Sequence, residues 1–93
     1  MIIDAHCHLQ SPQFRFSLPE IIAEAHAAGV RAIINAATGP DDWVQCRTIA
    51  DEHPMVIHSV GIHPWYIPAH YKSLLSGAAQ SALDEAHAIG EIG

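Results

Sequence analysis

Positive charge is scarce in this chain: four lysines and arginines stand against ten aspartates and glutamates in 93 residues, a formal net charge of −6. A chain so composed has no basic footprint with which to hold a phosphate backbone by charge alone, so any nucleic-acid contact would need metal ions. Cysteine is equally sparse. Cys7 and Cys46 both fall inside predicted regular elements, which excludes a secreted disulfide framework and points to a reducing compartment. No apolar run approaches the roughly 20 residues of a membrane span, and the N-terminus lacks the basic and long apolar segments of a signal peptide. A cytoplasmic protein without a membrane partner is expected.

What is present is ordinary globular material. The composition is 49% hydrophobic with mean hydropathy +0.14, too apolar for a disordered chain. The length allows one small domain, which at this size buries only about 60 to 65% of its unfolded surface. The run Met1 to Leu9 reads as a first strand, bounded by Gln10, Ser11 and Pro12. Ser17 and Glu20 form a capping-box pattern, and Leu18, Ile21, Ile22, Ala25 and Ala28 follow at helical spacing up to Gly29. Val30 to Ala37 has the length of a second strand, closed by Thr38, Gly39 and Pro40. Asp41 and Asp42 open a second helix with Trp43, Cys46, Ile49 and Ala50 on one face. Met55 to Ile62 is a third strand. Tyr71, Leu74, Leu75, Ala78, Ala82 and Ala86 mark a third helix loosened by Gly77, and Ala88 to Ile92 is a fourth strand.

Strands alternating with helices imply right-handed crossovers and a parallel sheet, so the class is α/β. Periodicity admits both an open doubly wound sheet and a (β/α)8 barrel. His6 with His8, His63 and Glu91 each sit at the carboxyl end of a different strand, where both architectures build their ligand sites.

Two strand residues two apart point the same way, so His6 and His8 present both imidazoles to one side. A carboxylate such as Glu91 arriving from another strand would add an anionic ligand, a set that suits Zn, Mn, Fe or Co. The alternative for the pair is a buried, hydrogen-bonded couple of histidines. Glu91 lies between glycines in an apolar strand and needs a partner, for which a metal ion is simplest. Asp4 either orients one of the histidines or is satisfied by backbone. Cys7 points toward the helix layer and reads as a small core residue, as does Cys46. His63, in a turn set by Pro64, could donate to an anionic oxygen or transfer a proton. His26, His53, His58, His70 and His87 take surface or capping roles.

Taken together, MIIDAHCHL, GIHPW and AIGEIG resemble the N-terminal part of the TatD family of metal-dependent hydrolases, of the amidohydrolase-like (β/α)8 superfamily. The resemblance spans the whole chain. It implies a site for divalent cations (Mg, Mn or Zn), commonly two. His6 and His8 would hold the first ion, Glu91 would reach one or both, and a water activated by metal would be the nucleophile. His63 maps onto the histidine after the family's third strand and would lie near the scissile phosphate. The implied chemistry is phosphodiester hydrolysis of DNA, several members being deoxyribonucleases that trim strands from the 3′ end.

Members of that family run to about 250 residues, as the barrel requires, and take two further histidines and an aspartate from later strands. The expectation for residues 1–93 is therefore a partial hydrolase domain, the N-terminal half of a TIM-type barrel truncated after strand four. Activity would need the other half from a second polypeptide, from self-association or from further sequence. The alternatives are an inactive remnant without catalysis, an amidohydrolase acting on a non-nucleic-acid ester, lactone or amide, and a histidine-rich metal-binding module.

Overall fold

The computed structural model describes residues 1–14, 16–66 and 77–92. Four strands, β1 (Ile2–Cys7), β2 (Val30–Ala36), β3 (Val56–Ile62) and β4 (Ala88–Ile92), alternate with helices α1 (Leu18–Ala27), α2 (Pro40–Glu52) and α3 (Gly77–Glu85). Short 3-10 helices, Pro12–Phe14 and Pro64–Tyr66, follow β1 and β3. The element types are those the hydrophobic periods predict. Tyr71, Leu74, Leu75 and His70, which the sequence places in or before the third helix, lie outside the described residues.

The sheet is wholly parallel, in the order β1-β2-β3-β4. That order decides between the two architectures left open by periodicity. A doubly wound sheet reverses its strand order at a switch point, whereas here each strand is added beside the last, as in a barrel. Curl supplies the second argument. In a flat sheet the three gaps between β1 and β4 would separate side chains standing on one face by about 14 Å, yet His6 Nε2 on β1 lies 3.4 Å from Glu91 Oε1 on β4. The sheet is therefore a half-barrel.

Two apolar clusters fill the layer between this sheet and its helices. Leu9, Ile22, Ile33, Ile49, Ala50 and Val56 join α1 and α2 to the sheet. Ala37, Trp43, Cys46, Val60 and Ile62 form the second cluster, with Ala82 and Ala86 packed on it. The Trp43 indole N–H, a donor that burial would otherwise strand, reaches the Gly61 carbonyl at 2.9 Å. Among the described residues no helix is long and apolar enough to cross a membrane.

Helix starts depart from the sequence reading. Ser17 precedes α1 as expected, but its side chain makes no capping hydrogen bond. The Ser17 N–H that Glu20 would have accepted from is already given to the Phe14 carbonyl of the first 3-10 turn. The capping carboxylate belongs instead to α2, where Asp42 accepts from the Gly39 N–H at 3.2 Å and from the Thr38 N–H at 3.0 Å.

Candidate metal centre

His6 lies near the end of β1, His8 directly follows that strand, and Glu91 lies in β4. One ligand atom from each can be chosen so that all lie within 4.8 Å of one another. The two imidazoles stand edge to face with centroids 4.9 Å apart. His8 Nδ1 is 2.7 Å from the Ala36 carbonyl oxygen. A carbonyl only accepts, so Nδ1 carries the proton and Nε2 keeps its lone pair free for a ligand. Glu91, read from sequence as a buried charge needing a partner, keeps 19% of its side chain exposed and has His6 opposite it. Two neutral imidazoles and a carboxylate form a donor set that can hold a divalent cation.

The surroundings explain why the chain folds this way here. Asn35 on β2 is fully buried; its Oδ1 accepts from the Leu9 N–H at 2.6 Å and from the Cys7 thiol at 3.9 Å, which fixes the backbone on both sides of His8. Gln10 donates from Nε2 both to the Ala36 carbonyl and to Asp42 Oδ2, each at 2.9 Å. Asp42 also accepts from the Thr38 hydroxyl at 2.8 Å, so one carboxylate ties the exits of β1 and β2 to the start of α2. On the far side, a Cβ at Gly61 would overlap the backbone of Glu91. Only glycine lets β4 come close enough to bring its carboxylate to His6.

Other expectations resolve individually. Asp4 does not orient an imidazole: its Oδ1 accepts from the His6 backbone N–H at 3.1 Å, and the carbonyl of Ala36 orients His8 instead. Burial first, then the Asp4 carboxylate, pushes the Cys7 thiol up to about 11; burial, then Asp42, pushes Cys46 up to about 12. Both stay protonated at neutral pH, which agrees with core packing rather than ligation. His63 leaves β3 with its N–H on the Thr38 carbonyl at 2.7 Å and lies outside the group formed by His6, His8 and Glu91. Its Nδ1 accepts from the Trp65 N–H at 3.2 Å, which leaves Nε2–H as a donor. His26 and His87 are exposed, and His87 Nδ1 caps the His58 N–H at 3.2 Å. His58 corrects the surface reading: it is 3% exposed, because the helix-facing side of β3 lies under α2.

Residues 3–93 match the model of the TatD related DNase family. The chain belongs to that family. Its relatives include the uncharacterized metal-dependent hydrolase YjjV of Escherichia coli (strain K12), 30% identical over 95 residues that cover 98% of this chain and 36% of the relative. The 3'-5' ssDNA/RNA exonuclease TatD of Citrobacter rodentium (strain ICC168) is 31% identical over 94 residues, 99% of this chain and 35% of the relative. Deoxyribonuclease TATDN3 of Homo sapiens is 27% identical over 64 residues, 68% of this chain and 23% of the relative. The chain thus spans about a third of the length of the first two.

Within this TatD-related fold, Asn35, Gln10, Asp42 and Gly61 went unassigned by motif. A polar residue in the apolar run VRAIINAA was the available signal for Asn35, and the Thr-Gly-Pro-Asp-Asp sequence for Asp42.

Proposed function

We propose that this chain supplies the first strands and three of the metal ligands, His6, His8 and Glu91, of a divalent-metal-dependent hydrolase that cleaves phosphodiester bonds of DNA. The observation that carries the proposal is the convergence of those three side chains within 4.8 Å at the carboxyl ends of strands from opposite edges of the curled sheet. Family membership adds to it. Mg, Mn or Zn bound there would lower the pKa of a water and neutralise charge on a phosphoryl oxygen, which answers the lack of a basic patch.

The protein's own groups have separable tasks. His8 is held in the tautomer that offers Nε2 by the Ala36 carbonyl. His6 offers Nε2 beside the Glu91 carboxylate, and that carboxylate would bring the negative charge that favours a cation. His63 presents Nε2–H, a donor for a phosphoryl oxygen or for proton transfer to a leaving oxygen, and is assigned the catalytic role on that basis.

The test is release of nucleotides from single-stranded DNA labelled at its 3′ end by the hydrolase that contains these strands, with Mn²⁺ present. Release should stop with EDTA and fall to background in Glu91→Gln. Release that survives EDTA, or its absence from DNA while an ester or lactone is hydrolysed, would contradict the proposal.

A further inference from the structure

Beside His8 lies a cleft of about 380 Å³, within the usual range of small-molecule pockets, roughly 300 to 1,000 Å³. Its walls come from three elements: His8 and Ser11 after β1, Thr38, Asp42 and Gln45 around the start of α2, and Tyr66 of the second 3-10 turn. Tyr66 is 44% exposed, and His63 helps to set its position. The Tyr66 N–H donates to the His63 carbonyl at 2.9 Å, and the two rings lie with centroids 5.8 Å apart.

The chemistry of these walls selects the occupant. Asp42 is held by hydrogen bonds from Thr38, Gly39 and Gln10, so a carboxylate stands in the cleft and repels a phosphate. A neutral, flat group is admitted: the aromatic face of Tyr66 can stack on it, and Ser11 and Gln45 can exchange hydrogen bonds with its edge. With four basic residues against ten acidic ones, this chain offers little backbone attraction beyond the metal ligands, so a contact that salt does not screen would add to its affinity for a strand.

We infer that this cleft is the subsite for one unpaired nucleobase of a single-stranded substrate, stacked on Tyr66, while its neighbouring phosphate faces His6, His8 and Glu91. The inference rests on the nuclease reading above and adds to it a base-binding residue. Because every base has a π-face, the subsite discriminates single from double strands and base-bearing from abasic positions, with little preference among bases.

The test is equilibrium binding of the full chain, with Mn²⁺, to labelled oligothymidylate and to an abasic strand with the same number of phosphates, both carrying cleavage-resistant phosphorothioate linkages. Oligothymidylate should bind roughly 5- to 150-fold tighter, the range expected for one stacked base. The ratio should persist as salt is raised, fall toward unity in Tyr66→Ala and be kept in Tyr66→Phe. Unchanged Mn²⁺ affinity of Tyr66→Ala shows that its fold is intact. Equal affinity for the two strands, or a ratio that survives Tyr66→Ala, overturns the subsite. Metal-dependent hydrolysis without base preference would leave the nuclease reading standing and overturn this inference alone; base preference without hydrolysis would do the reverse.

Discussion

His58 sits in the middle of β3 with 3% of its surface exposed, and its Nδ1 has no hydrogen-bond partner among the described residues. Burial, and next the neighbouring His87 ring 4.7 Å away, disfavour the imidazolium; Asp51 opposes this shift and Arg47 adds to it, both from α2. Glu85 of α3, paired with Arg47, lines the same cavity as His58. The folded pKa of His58 therefore lies below its ordinary value of 6.5. As pH falls below that value the unfolded chain takes up the proton first, so stability is lost with falling pH until the folded pKa is passed. Urea unfolding should show a lower midpoint at about pH 5 than at about pH 7, with a smaller drop in His58→Leu, which fills the site without titrating. Equal drops in both proteins would contradict this account. The sequence could not reveal the burial of His58, since that follows from α2 lying across β3. The shared side of His6 and His8 was legible because strand alternation fixes which way they point, and Glu91 stood out as a carboxylate in an apolar strand. Asn35 and Asp42 act on residues 26 and 32 positions away in the chain, at Leu9 and Gln10, and no local pattern encodes such contacts.

At the scale of elements, the centre depends on how closely β3 and β4 approach. Their register shifts between Val60 and Ile62, at the glycine where a side chain would meet the Glu91 backbone. Gly61→Ala should push β4 outward and carry Glu91 from His6, though Gly61 ligates nothing. Its Mn²⁺ affinity should fall about 10- to 100-fold, the cost typical of disturbing the support of a ligand, while the far-ultraviolet circular dichroism stays that of a folded α/β chain. Affinity equal to that of the unsubstituted chain would show that β4 can move without loss. Element types followed from β-branched runs and helical spacing, because burial on both faces of a parallel sheet demands such runs. Caps did not follow. A capping box is legible only when its N–H groups are free, and the turn before α1 had already taken that of Ser17.

At the scale of the molecule, strand order and curl place the donors at the carboxyl ends of strands that are remote in the sheet but adjacent in space. The outer strands β1 and β4 leave Ile2, Ile3, Ile89 and Ile92 more than half exposed, at 54%, 54%, 63% and 88%. The donors thus sit on, or directly after, the two strands that form the edges of the half-barrel: His6 on β1, His8 just past it and Glu91 on β4. The α/β class was readable from alternation alone, but the strand order was not, since the same alternation suits a doubly wound sheet and a barrel. Nor was the 3.4 Å approach of His6 to Glu91, since sheet curl is a sum of small twists that no residue carries by itself. On the proposal above, His6, His8 and Glu91 bind a divalent cation together. Calorimetric titration of the chain with Mn²⁺ tests it most directly, alongside His6→Ala, Glu91→Ala and Cys7→Ser. Stoichiometric binding that persists in Cys7→Ser and disappears in the other two is the predicted result; unchanged affinity in His6→Ala and Glu91→Ala would contradict the account.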